Sequence, residues 1–245
     1  MNKKLLILGG TGLVGSTVIK YAQKKYQIHI TNNKNKSEFK NIHCTTIDFI
    51  TESEKLIELI QSLKPDYVIH TVAFPSVDFC ETNHDEADFF HVKIAEKISK
   101  ICKDINSKLI FISTDAVFND TKNNKFIESD KPNPINYYAK TKLDAENIVL
   151  SFSENNVVLR TAVIYGWHKK SRFTNWIIDS LKDKKKVDPH VDQYNTPTLV
   201  DDLAIAIIKI LENNISGLFH ATGKSCLNRF EFATKIAKYC NYDTN

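Results

Sequence analysis

The stretch Lys4-Leu5-Leu6-Ile7-Leu8-Gly9-Gly10-Thr11-Gly12-Leu13-Val14-Gly15 decides the fold of this 245-residue chain. Residues 4–8 form an apolar run, as expected of a central strand buried on both faces. A glycine-rich turn follows and opens a helix predicted over 12–24. Gly9 permits a tight turn, Gly12 lets backbone approach a pyrophosphate, and Gly15 lets helix and strand pack closely. The helix start offers free N–H groups and the positive end of its dipole. Gly9, Thr11, Gly12, Leu13, Val14 and Gly15 are therefore candidate phosphate-binding positions.

Outward from this turn, short β-branched runs alternate with longer amphipathic stretches. Strands are predicted at 27–31, 42–47, 67–71, 108–113 and 157–161. Helices are predicted at 52–63, 84–104 and 135–153. Helix 52–63 must stop before Pro65. This alternation specifies βαβ units, hence an α/β, Rossmann-type doubly wound parallel sheet. After Tyr165 the rhythm changes, with helices at 172–182, 199–211 and 228–239 and a strand at 218–221. The expected organisation is a nucleotide-binding domain over 1–165 and a smaller C-terminal substrate lobe over 166–245 packed on it.

Composition narrows the class. Hydrophobic residues make up 42% and charged residues 25%, ordinary values for a globular chain. The net charge of +4 is too small to imply nucleic acid. The run Lys182, Lys184, Lys185, Lys186 reads as a solvated helix end. The five cysteines are scattered, with no metal-ligand spacing, so no metal is expected and reduced thiols are. No apolar run approaches the roughly 20 residues that span a bilayer. The chain enters its first strand almost at once, and a cytoplasmic protein is expected.

The cofactor is read at the strand ends. A carboxylate ending the second strand would bind the ribose hydroxyls of NAD. This chain has Thr31-Asn32-Asn33-Lys34-Asn35-Lys36 there. Lys34 and Lys36 can pair with a 2′-phosphate, which favours NADPH, with NADH retained; a solvated Lys-rich loop is the alternative.

The catalytic candidates lie further on. Tyr138 and Lys142 are one helical turn apart on one face. A phenol beside an ammonium is easier to ionise, and such a group can pass a proton to a carbonyl oxygen. Ser113 and Thr114 end the fifth strand, where ligands of open α/β sheets bind. They point oppositely, so one of them can hydrogen-bond a carbonyl; periodicity leaves the choice open.

The spacing Gly9-x-x-Gly12-x-x-Gly15 resembles the extended branch of the short-chain dehydrogenase/reductase superfamily. Within it the chain resembles the dTDP-4-dehydrorhamnose reductase family along nearly its whole length. The marks are the glycine turn, residues 113–118, Tyr138 to Lys142 with Leu143, Ala145 and Glu146, then Arg160-Thr161, Tyr165-Gly166, residues 192–194 with Pro197-Thr198, residues 202–204, 217–220 and 231–233. The resemblance implies Thr114, Tyr138 and Lys142 as the catalytic set. It implies Asp48 and Phe49 near the adenine, with Asn33, Lys34, Val72, Ala73 and Phe74 along the cofactor. It places Val77, Asp78 and Glu81 on a loop near the substrate side. It also implies reduction of the 4-keto group of a nucleotide-linked deoxysugar, with Lys142 lowering the Tyr138 pKa. The partner is a nucleotide-sugar substrate, with no nucleic acid and no membrane. A homodimer is an allowed assembly that the sequence leaves open.

Two positions depart. His91 stands where the family usually carries Asn in support of a proton path; substitution for that role, a different path and simple packing are all open. Val163 replaces an aromatic residue after Arg160-Thr161. The chain ends at Asn245, earlier than the family does, so a shortened lobe and a truncated sequence are both open. Two other readings share the fold: a non-catalytic NADP-binding regulatory subunit, as in methionine adenosyltransferase β, and a reductase or epimerase for another sugar nucleotide.

Overall fold

The computed structural model describes residues 2–34, 39–74, 76–119 and 125–242. The chain runs β1 (Lys4–Leu8), α1 (Leu13–Ala22), β2 (Gln27–Asn32), β3 (His43–Thr46), α2 (Ser53–Leu63), β4 (Tyr67–His70), α3 (Val77–Thr82) and α4 (His84–Ala87). A π-helical stretch, Asp88–Lys93, leads into α5 (Ile94–Asp104) and β5 (Lys108–Thr114). Then come α6 (Tyr137–Phe152), β6 (Val157–Thr161), β7 (Ile164–Tyr165), α7 (Arg172–Lys182), β8 (Tyr194–Asn195) and β9 (Thr198–Leu199). The last elements are α8 (Val200–Glu212), β10 (Gly217–His220), β11 (Leu227–Asn228) and α9 (Arg229–Tyr239).

Seven strands form one sheet in the order β10-β6-β5-β4-β1-β2-β3, all parallel. The strand order reverses at β1, between β4 and β2, so the crevice at the carboxyl ends of β1 and β4 is the topological switch point. β1 explains its own composition. Leu5 and Ile7 enter the core under α1 and α8. Leu6 and Leu8 enter the opposite core, under α2, α5 and α6. Period-two alternation with both faces covered demands an unbroken apolar run. This is the doubly wound Rossmann-type fold expected.

The differences are tertiary. The helix expected over 84–104 is three consecutive pieces, because the π-helical stretch inserts a wider turn that carries Phe90 and His91 into the interior. A short helix, α3, precedes it. β10 pairs with β6 at the sheet edge, and residues of α8 share a core with those of α1. By sequence both lie beyond Tyr165, and in space they complete the seven-stranded sheet and the core under α1. A separate small core joins α7 and α9 through Ile177, Ile178, Phe232, Ala233 and Ile236.

Candidate active site

The turn after β1 is fixed by backbone. Gly9 has φ +85°, and a Cβ there would lie 2.7 Å from the Val72 side chain and 2.8 Å from Thr71 Oγ1. A Cβ on Gly15 would lie 2.4 Å from the Gly9 carbonyl oxygen. The Gly10 amide donates to the Thr31 carbonyl at 2.9 Å, and Thr71 Oγ1 donates to the Leu8 carbonyl at 2.7 Å. The ends of β1, β2 and β4 are thus tied around one crevice. α1 opens with Gly12 as its N-cap, with no side-chain cap and no acidic residue in its first turn. That leaves a positive helix end for an anion. A pyrophosphate suits this turn: a Cβ on Gly12 would meet only the Gly9 carbonyl oxygen, at 3.1 Å, so the backbone at the helix start is open to an anion.

Along the crevice, Asn33 and Lys34 are exposed at the end of β2, and Lys36 lies outside the described residues. The Asn33 amide donates to Asp48 Oδ2 at 3.4 Å, joining the ends of β2 and β3. Asp48 Oδ1 accepts from the Ile50 amide at 2.9 Å. The Phe49 side chain is buried in the core beneath, as Val14 is in the opposite one. Both can meet a ligand only through backbone. Val72, Ala73 and Phe74 are half-buried beyond β4, and the Phe74 ring packs 4.2 Å from Phe90 and 4.9 Å from Phe79.

The catalytic candidates meet at the carboxyl end of β5. Asn136 caps α6 by accepting from the Ala139 amide at 2.9 Å, which sets Tyr138 in the first turn. The Thr114 hydroxyl stands beside the Tyr138 phenol, where it acts to lower the phenol's pKa. Ser113, one residue earlier, is 4% exposed and turned away, its hydroxyl buried without a partner. The structure therefore brings Thr114, and not Ser113, to Tyr138.

The electrostatics differ from the expectation that Lys142 lowers the phenol. Burial pushes the Tyr138 pKa up to about 12, against the lowering influence of Thr114 and with a further push from Asp115. Lys142 is 2% exposed. Its ammonium donates to the Ile112 carbonyl at 2.8 Å and sits 3.9 Å from the centre of the Phe111 ring. Burial brings its own pKa down to about 7, opposed by Glu146. With the amine held at Ile112, desolvation of the phenol is the larger effect.

Several residues around this pair have partners that sequence gave no means of naming. Glu146 lies one turn beyond Lys142 on the same face and is paired with Arg160 from β6. Arg160 donates through Nε at 3.1 Å and Nη2 at 2.7 Å, and both side chains are buried. Asp115, its pKa raised by burial, accepts from the Asn195 amide at 3.3 Å. Arg229 stands beside that carboxylate and donates to Gln193 Oε1 at 3.1 Å. His91 links three segments, as developed below. The (i, i+4) spacing to Lys142 pointed to Glu146; for His91, Asn195 and Arg229 no local pattern existed. Among the described residues, no group of three or more His, Cys, Asp or Glu side chains is placed to hold a metal ion. Among the same residues, no helix is long and apolar enough to cross a membrane.

The geometry has relatives. Methionine adenosyltransferase 2 subunit beta of Rattus norvegicus is 30% identical over 251 residues, covering 98% of this chain and 73% of that protein. The dTDP-4-dehydrorhamnose reductase of Aggregatibacter actinomycetemcomitans is 27% identical over 239 residues, covering 95% and 78%. The structure of dTDP-4-dehydrorhamnose reductase from Bacillus anthracis in complex with NADP superposes with a TM-score of 0.88 at 26% identity, covering 100% of this chain and 83% of that one. Residues 3–245 match the family described as RmlD substrate binding domain, and the chain belongs to that family.

Proposed function

We propose that this protein is an NADPH-dependent reductase of the 4-keto group of a nucleotide-linked deoxysugar, of the dTDP-4-dehydrorhamnose reductase kind. The observation that carries the reading is a phenol kept protonated beside a hydroxyl, on the same sheet rim as a glycine cradle for a pyrophosphate. When bound, NADPH supplies the hydride. Residues 9–15 bind its phosphates, Lys34 its 2′-phosphate, and residues 72–74 line its path.

Tyr138 is the general acid. With a pKa near 12 it holds its proton through the neutral range, and it gives that proton up once the carbonyl oxygen becomes an alkoxide, a stronger base than phenolate. Thr114 donates a hydrogen bond to the same oxygen and orients the carbonyl. Lys142, near 7, can be charged at neutral pH and answers the phenolate left behind. The lobe built on α7 and α9 closes over the sugar, while α8 and β10 belong to the nucleotide-binding layer. Unpaired cysteines fit a reducing, cytoplasmic setting.

The test is NADPH oxidation with a panel of 4-keto nucleotide sugars, beside thermal shift with NADPH and NADH. The expected outcome is stabilisation by NADPH and turnover of a dTDP-linked 4-keto-6-deoxysugar. Lys34→Glu should reduce the preference for NADPH over NADH by about tenfold, the order of one charge-assisted contact. The β subunit similarity supplies the rival. NADPH binding with no turnover of any nucleotide sugar, together with stable capture of a methionine adenosyltransferase, overturns the enzymatic reading.

A further inference from the structure

His91 is buried at the centre of the π-helical stretch, where both ring nitrogens are engaged. Nε2 lies 2.9 Å from the backbone nitrogen of Phe74. Nδ1 lies 2.8 Å from Thr141 Oγ1. Thr141 Oγ1 in turn lies 2.9 Å from the carbonyl of Tyr138.

The protons in this chain have one arrangement. A backbone amide can only donate, so Nε2 is the acceptor for Phe74. A hydroxyl has one proton, and a carbonyl can only accept, so Thr141 gives its proton to Tyr138. Thr141 must then accept from Nδ1–H. The ring is neutral, in the Nδ1–H tautomer, with no capacity left for a water. Burial, reinforced by the Lys142 charge, holds its pKa near 3, so protonation does not free it in the working range.

From this geometry we infer that His91 is a positioning residue, which ties the 72–74 segment beside the cofactor crevice to the first turn of the helix carrying Tyr138 and Lys142, and carries no proton itself. The inference rests on the cofactor reading of that crevice. Ring packing reinforces the link. The His91 ring meets Tyr138 edge-on at 5.5 Å and Phe74 at 5.8 Å. A wider helical turn at residues 88–93 is what lets one side chain reach both neighbours, and such turns concentrate at functional sites. Proton supply to Lys142 must then run past residue 91, not through it.

The experiment uses the full chain with NADPH titrated by fluorescence, steady-state rates and thermal melts. His91→Phe keeps a flat aromatic ring and removes both hydrogen bonds. Its NADPH Kd is expected to rise by about tenfold and kcat to fall by about as much, since the Phe74 amide loses its acceptor and the Thr141 hydroxyl its donor. His91→Gln supplies an acceptor and a donor without charge and should return both values to within about threefold of the parent, because only hydrogen-bond polarity is required. Thr141→Val should cost less in the His91→Phe background than alone, as expected of residues sharing one link. The pH profile of kcat should keep its shape in every variant.

A loss of melting temperature with unchanged NADPH Kd and kcat overturns the positioning role. So does a titration limb of kcat that disappears in His91→Phe and is not restored by Gln, which assigns proton transfer to the ring. If His91→Phe does not fold, His91→Gln and Thr141→Val read the same link from its two ends. If the parent protein binds no NADPH, the cofactor reading fails, and the melting-temperature cycle between positions 91 and 141 still tests the link.

Discussion

The glycine turn at residues 9–15 and the cluster around Tyr138 stand on the same rim of one sheet, and they are built in opposite ways. The turn is made of backbone: a positive φ at Gly9, a helix start without a side-chain cap, and the Gly10 and Gly12 amides tied to the Thr31 and Gly9 carbonyls. Its chemistry is written within a dozen consecutive residues. The cluster is made of side chains from β5, the π-helical stretch, α6 and β6, and its electrostatics come from burial. A backbone-built site withstands most substitutions and fails when a Cβ intrudes. A side-chain-built site keeps its fold when one group is removed and loses its chemistry.

That contrast can be broken at three points. The largest effect belongs to Tyr138→Phe. It should lower kcat by about a thousandfold, within the range of a lost general acid, while NADPH affinity measured by titration stays within about twofold of the parent. Near-parental turnover would remove the phenol from the mechanism.

The next belongs to the turn. Gly15→Ala places a Cβ 2.4 Å from the Gly9 carbonyl and should cost about 1–3 kcal/mol in urea unfolding, the usual cost of overpacking. Gly12→Ala meets one atom, at 3.1 Å. It should weaken NADPH binding with little loss of stability. Equal stability of the two variants would contradict the close packing at Gly15.

The smallest concerns Lys142 and pH. Its folded pKa, about 7, lies below its ordinary 10.5. Below pH 7 folded and unfolded chains both hold the proton. Between about 7 and 10 the unfolded chain holds more of it, so stability rises with pH across that window. Urea unfolding at pH 6.5 and 9 should show a gain of about 1 kcal/mol or more for the parent. Lys142→Met should lack this gain and be the more stable protein at pH 6.5, since an unpaired buried charge is costly. A flat parental profile would place the Lys142 ammonium in water.

Much of the fold was legible because it is periodic. The strand over 157–161 and the helix over 172–182 coincide with β6 and α7, since apolar runs and polar turns mark their ends. β10 was readable as a strand, but its place beside β6 was not, because pairing partners are chosen across some 60 residues of chain. The two-residue strands β7, β8, β9 and β11 carry no periodicity at all. At the site, Gly9, Gly15, Tyr138 and Lys142 were readable from spacing, and Thr114 only from family resemblance.

The sequence by itself determined the βαβ rhythm, the glycine turn and the Tyr–Lys pair, since each is a local pattern of backbone freedom or helical spacing. Only the tertiary structure decided that the phenol is raised and not lowered, that Thr114 and not Ser113 faces it, and that His91 is locked between Phe74 and Thr141. Desolvation and hydrogen-bond partnership depend on what surrounds a group in space. Neighbours along the chain do not carry that information.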